Sequence, residues 1–258
     1  VPFSGWRGTL AAGPDFRYPP RATHLPSLPP ARQPNGDAKS ISVSPHLGVP
    51  SAGGRVYNDA MIAALYVEKG GCYAGLPNID LWCEARDARL YAGPHPVVAH
   101  PPCSRWCRLA GLVEARWGHK RGEDGGCFHS ALESVRKWGG VLEHPAYTDA
   151  FAAFGVPSPE TGLPGWQRTL DGGWITYVEQ HAYGHPAKKA TWLYAFGLDD
   201  PPPLRWTFVR DNESTALVSW CGNHVKSGET RPRVGKKVAS ATPIAFRDVL
   251  LDIARRCR

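Results

Sequence analysis

Apolar residues recur in short blocks only beyond Asn58. The block MIAALYV (61–67) has the pattern of a buried strand and runs straight into the glycine-rich EKGGCYAG. NIDLW (78–82) and PVVAH (96–100) predict two further short strands. GGCFHSALESVRKW (125–138) has helical spacing, whereas GGVLEHP (139–145) predicts a strand entered through a Gly-Gly break and closed by proline. GWITYVEQHAYG (173–184) alternates like a half-buried strand, and ATWLYAFG (190–197) reads as another. TPIAFRDVLLDIARRC (242–257) predicts a closing helix with Thr242 as N-cap, Pro243 at the first helical position, and Ile244, Val249, Leu250 and Ile253 on one face. Strands alternating with helices predict an α/β fold, with a mostly parallel sheet covered on both faces and functional loops at the carboxyl ends of its strands.

The first 57 residues follow another pattern. Ten of the 25 prolines fall in residues 1–55, with almost no apolar periodicity, so this segment is expected to be an extended arm. The remainder divides into a catalytic α/β domain (58–195), a short basic recognition region (196–240) and the closing helix (241–258). Charge sharpens this division. Residues 1–55 carry six Lys/Arg against two acids and residues 226–258 nine against three, which leaves the middle slightly acidic within a net charge of +7. Basic flanks around an acidic core suit a polyanion gripped at its edges, and equally a solvated basic tail.

No stretch approaches the roughly 20 apolar residues of a membrane helix, and no leader pattern is present, so a soluble, cytoplasmic protein without a membrane partner is expected. The seven cysteines are scattered, at 72, 83, 103, 107, 127, 221 and 257, which suits reduced thiols. Five potential ligands, His100, Cys103, Cys107, Cys127 and His129, lack the spacing of a zinc site, and no metal is expected. Cys103 follows the strand PVVAH on a loop stiffened by Pro101 and Pro102, and Glu143 ends the strand VLE forty residues later. Both would project into one crevice at the carboxyl edge of a parallel sheet. A thiolate facing a carboxyl group suits attack on an electron-poor ring, with the carboxyl hydrogen-bonding a ring nitrogen.

Pro102-Cys103 at a strand end, Glu143-His144-Pro145, and EQHAYGHPAKKATWLY (179–194) resemble motifs IV, VI and VIII of the DNA cytosine-5 methyltransferases, in the compact form of phage-type members. The resemblance covers residues 60–195 and the closing helix. It implies a Rossmann-like methyltransferase sheet, DNA rather than RNA as partner, S-adenosylmethionine as cofactor, and a bacterial or phage-infected cell as the setting. Cys103 would attack C6 of a flipped cytosine, Glu143 would contact N3, and Lys188 or Lys189 would stand where a basic residue holds the base. Gln180 begins the third motif. Pro101, Ser104, Arg105, His144 and Tyr183 join it as base- or backbone-contacting candidates, and Trp106, between basic neighbours, is placed to stack on a base. Cofactor contacts would fall to Glu68, Gly70, Gly71, Asp80, Asp87 and Pro102.

The chain also departs from that pattern. Glu68 and Lys69 precede Gly70-Gly71 where the family has an aromatic-x-Gly-x-Gly loop, and the 17 residues from Gly70 to Asp87 are too few for the usual two strand–helix steps. His144 replaces the usual asparagine, and the target-recognition region is short. Two alternatives therefore stand beside methyl transfer: pyrimidine modification or base removal by the same Cys/Glu pair with no S-adenosylmethionine, and a catalytically silent nucleic-acid-binding protein.

Overall fold

The computed structural model describes residues 60–108, 110–160, 162–208, 214–218 and 230–258; the expected N-terminal arm and parts of the expected recognition region lie outside them. Nine strands are described: β1 (Ile62–Leu65), β2 (Ile79–Trp82), β3 (Val97–Ala99), β4 (Gly140–Pro145), β5 (Gln167–Arg168), β6 (Trp174–Glu179), β7 (Ala190–Phe196), β8 (Leu217–Val218) and β9 (Arg233–Val234). The α-helices are α1 (Ala110–Trp117), α2 (Cys127–Trp138), α3 (Asp149–Ala153), α4 (Lys236–Ser240) and α5 (Ile244–Arg255). Seven strands form one mixed sheet in the order β2-β1-β3-β4-β7-β6-β5, and β8 pairs with β9. The fold is α/β.

The four strands β2, β1, β3 and β4 are mutually parallel, as expected, but β7 runs antiparallel to both β4 and β6. The reason is length. Only residues 180–189 join β6 to β7, fewer than the dozen or more that a parallel crossover needs. Within the parallel half the order reverses between β1 and β3, and in open α/β sheets ligand crevices form outside the strand ends at such a point.

Alternation along each strand divides the core into two layers. Leu65, Val97, Ala99, Leu142 and Tyr194 pack with Phe128, Leu132 and Val135 of α2. Ile62, Ala64, Val98, Val141 and Leu193 pack on the opposite face with Phe246, Leu250 and Ile253 of α5. At about 25 cal/mol per Å² of buried apolar surface, these two layers are the main stabilising term. The buried stripe of α5 excludes Ile244, which is 64% exposed. Pro243, whose carbonyl accepts from Phe246 and Arg247 N–H, occupies the N-cap assigned from sequence to Thr242. Helices α1 and α3 carry no strong sequence period; α3 is set by Thr148, whose hydroxyl accepts from Ala150 N–H at 3.2 Å.

The Gly-Gly break before β4 is a packing requirement. Gly140 has φ +130°, and a Cβ there would lie 2.0 Å from the Val97 carbonyl oxygen across the β3–β4 pair. Gly140→Ala is therefore expected to destabilise the protein by roughly 3 kcal/mol or more, measured by urea denaturation.

Candidate functional site

Strands β3 and β4 pair in parallel with Val97 opposite Gly140, Val98 opposite Val141 and Ala99 opposite Leu142. One residue further on, this register sets His100 beside Glu143. Both side chains lie on the α5 face, because Val98 and Val141, two positions earlier, do. His100 Nδ1 sits 3.0 Å from Glu143 Oε2. An ionised carboxylate can only accept, so Nδ1 carries the hydrogen.

The pair belongs to a longer chain of hydrogen bonds. The hydroxyl of Tyr73, from the glycine-rich loop after β1, is 2.9 Å from His100 Nε2. On the other side, Gln180 Nε2 donates to Glu143 Oε1 at 3.0 Å and to Thr191 Oγ1 at 3.1 Å, and Thr191 donates onward to the Lys189 carbonyl. Both acceptors fix the Gln180 amide with its nitrogen toward Glu143. Its Oε1 is buried and has no hydrogen-bond partner among the described residues.

Glu143 is 9% exposed. Burial by itself would push its carboxyl up, but the hydrogen bond and charge of His100, with Lys189 and His144 nearby, bring it down to about 2. Cys103 shows the reverse balance. Burial pushes its thiol up to about 12, Cys107 and Glu143 add to the rise, and Lys189 opposes it. The resting sulfur is a protonated thiol. Burial lowers the Lys189 ammonium, while Glu143, Cys103 and Cys72 support its charge. Lys189 adopts left-handed backbone (φ 40°), a conformation that costs a non-glycine residue on the order of 1 kcal/mol, and its Nζ donates to the carbonyls of Ser240 and Ala241. Cys103, Glu143, Gln180 and Lys189 thus meet at one edge of the sheet.

Other candidates lie elsewhere. His144 is fully buried and points to the α2 face, where its ring meets Phe128 edge-on at 5.1 Å; alternation along β4 sends neighbours to opposite faces, so it cannot share the crevice with Glu143. Burial, opposed by Glu143 and the Pro102 carbonyl, lowers its imidazole to about 4. Trp106 is 4% exposed, its indole N–H donating to Asp124 at 2.8 Å and its ring against Phe128 and Phe154, so it is core and not a stacking platform. Tyr183 is buried against Phe246, and its hydroxyl accepts from Arg205 N–H. Lys188 pairs with the buried Glu179 at 3.1 Å, away from Lys189. Pro101 is buried and Pro102 half-buried beside Cys103; Ser104 is exposed, and the Arg105 carbonyl accepts from Gly122 N–H.

No protein-family model matches the chain. No curated protein matches it either.

Several of the cofactor candidates have partners within the protein. Asp80 accepts from Trp82 Nε1 and pairs with Arg86, and Asp87 is held by Arg89 at 2.7 and 2.8 Å. Glu68, Gly70 and Gly71 form a tight turn closed by Gly71 N–H on the Glu68 carbonyl, with Glu68 and Gly70 exposed, and no helix follows it before β2. The loop instead carries Tyr73 to His100. Among the described residues no cluster of three or more His, Cys, Asp or Glu side chains could hold a metal ion.

Tyr73, His100 and Thr191 are absent from the sequence-derived site. A signal for His100 existed: VVAH and GVLE are both three small or apolar residues followed by a polar one, and in parallel register their last members meet. Tyr73 had none, since a loop residue 27 positions from its partner is placed only by the loop's path.

The depressed Glu143 carboxyl stabilises the folded state above the ordinary carboxyl range, and this contribution disappears as pH falls through the folded value of about 2. Between about pH 5 and pH 2 the wild type is expected to lose on the order of 3 kcal/mol more stability than Glu143→Gln, measured by urea denaturation across pH.

Proposed function

We propose that this protein modifies C5 of a pyrimidine in DNA by way of a covalent adduct between Cys103 and C6, with cytosine as the base and Glu143 facing N3. The observation that carries the reading is the convergence of a protonated thiol, an ionised carboxylate and a half-buried lysine at the carboxyl edge of β3 and β4. Sulfur addition at C6 raises electron density at C5, which an unaided ring lacks, and the charge moves toward N3 where Glu143 stands. The N4 hydrogens of cytosine offer a donor of the kind that the open Gln180 amide oxygen lacks.

A base stacked inside a duplex cannot present its C6 to a thiol recessed at the sheet edge, so the target is flipped out or single-stranded. The exposed Lys236 and Lys237 of α4, beside the Lys189 anchor at Ser240 and Ala241, supply positive charge for the nucleic-acid backbone next to the crevice. The order β2-β1-β3-β4 supports a Rossmann-like sheet, whose reversal point is where such folds take ligands.

Methyl transfer from S-adenosylmethionine is the form implied by the resemblance. A second reading, the same adduct chemistry with another one-carbon donor, is favoured by Asp80 and Asp87, whose carboxylates are already held by arginines.

Release of tritium to water from DNA labelled at C5 of cytosine tests the adduct without any donor, because the enamine formed by addition exchanges its C5 hydrogen. Wild type is expected to release tritium and Cys103→Ser to release it at least about a hundredfold more slowly. Equal rates in the two proteins exclude a Cys103 adduct. Titration calorimetry with S-adenosylmethionine then separates the two donors: no heat of binding beside sustained tritium release selects the second.

A further inference from the structure

A base that lies between Cys103 and Glu143 arrives on a strand, and its neighbouring nucleotides have to be received at the rim of the crevice. Trp106, the aromatic residue that the sequence offers for this, is closed off in the core. The basic residue two positions beyond it is open. Arg108 is exposed, makes no ion pair among the described residues, and holds its guanidinium 5.6 Å from the ring centre of Tyr147, itself 43% exposed. We propose that Tyr147 and Arg108 form a platform for a nucleotide next to the target pyrimidine, the tyrosine ring stacking on its base and the arginine pairing with its phosphate. The identity of the partner rests on the thiol-addition reading above.

Both residues are tied to the loop of the thiol. The Cys103 carbonyl accepts from the N–H groups of Trp106 at 3.0 Å and Cys107 at 2.9 Å, so Cys103 to Cys107 make one turn with Arg108 at its exit. The Trp106 carbonyl in turn accepts from Asp149 N–H at 2.9 Å and from the buried Thr148 hydroxyl at 3.4 Å. On the other side of Tyr147, Ala146 N–H donates to the Ala190 carbonyl at 3.0 Å. Tyr147 thus stands between two anchored residues, just past the end of the strand that carries Glu143.

Its backbone is left-handed, with φ 65°. A turn alone would take glycine or asparagine at such a position, so a bulky ring there needs another reason. The conformation rests the ring against Trp192, at 5.8 Å and an interplanar angle of 56°, and leaves much of the phenol in solvent beside Arg108. A ring and a cation match the two parts of a nucleotide. Every base has a π face on which an aromatic side chain can stack, and the planar guanidinium fork fits a phosphate. An acidic peptide would call for the cation without the ring, and an apolar partner for the ring without the cation.

Binding of a fluorescein-labelled single-stranded oligonucleotide with one central cytosine, read by fluorescence anisotropy across a salt series, tests the platform, with thermal melts verifying that each variant is folded. Tyr147→Leu keeps apolar cover over Trp192 but has no π face. It is expected to weaken binding about tenfold, and Tyr147→Phe to stay within about twofold of wild type. Arg108→Gln is expected to flatten the slope of log affinity against log salt by about 0.7, the share of one phosphate contact on a single strand, while Tyr147→Leu keeps the wild-type slope. On a strand whose nucleotides flanking the cytosine are abasic, wild type and Tyr147→Leu are expected to bind equally. The platform is overturned by equal binding of the intact strand by those two proteins, by a Tyr147→Leu deficit that persists on the abasic strand, by a wild-type salt slope in Arg108→Gln, or by no binding in wild type. Each of these leaves the Cys103 adduct to its own test. Absence of tritium release from wild type beside Tyr147-dependent binding overturns the adduct and leaves the platform standing.

Discussion

The hydrogen bond between His100 and Glu143 follows from the register of two parallel strands, and most of the site is arranged around it. With Ala99 opposite Leu142, the next residues of β3 and β4 come side by side at the carboxyl edge on the α5 face. A shift of one residue would turn either side chain to the α2 face. His144 shows what that face does to a polar side chain: it is fully buried against Phe128. Gly140 secures the register from the other end, because only a residue without Cβ allows β4 to approach the Val97 carbonyl so closely.

Around that pair, several segments position one group each. The glycine-rich turn after β1 delivers Tyr73, and the 3-10 turn Gln180–Tyr183 after β6 delivers Gln180. Pro101 and Pro102 stiffen the path to Cys103. Lys189 is held in a left-handed backbone conformation and tethered to carbonyls at the C-terminal end of α4. Non-glycine residues keep such a conformation only where the surroundings over-determine it, and here they are the α4 terminus and the antiparallel entry of β7.

The charge states form a consistent set. Burial drives Cys103 toward the neutral thiol, and the same burial would neutralise Glu143 but for His100. Desolvation lowers the Lys189 ammonium, and the neighbouring Glu143 carboxylate returns only part of that loss. The resting crevice therefore stores its negative charge on the carboxylate and withholds it from the sulfur, so a nucleophile forms only as the thiol proton departs. In the proposed addition, proton movement would be part of the step, because the thiolate and not the thiol is the nucleophile.

The strand pattern, the helix α2, the closing helix and the place of Cys103 and Glu143 at the carboxyl ends of neighbouring strands were legible in the sequence, because alternation, glycine breaks and proline stops are local signals. The antiparallel half of the sheet was implicit in the ten residues between β6 and β7, a length too short for a crossover. Trp106 was misjudged as a stacking residue because basic neighbours in sequence do not report burial, and its indole closes on Asp124 and two phenylalanines. The two lysines 188 and 189 are indistinguishable as letters, yet one pairs with Glu179 and the other faces the crevice. Local composition thus determined which residues could carry chemistry. Only the tertiary structure decided which of them meet, because strand register, the face each side chain occupies and the path of a loop depend on contacts far apart in the chain.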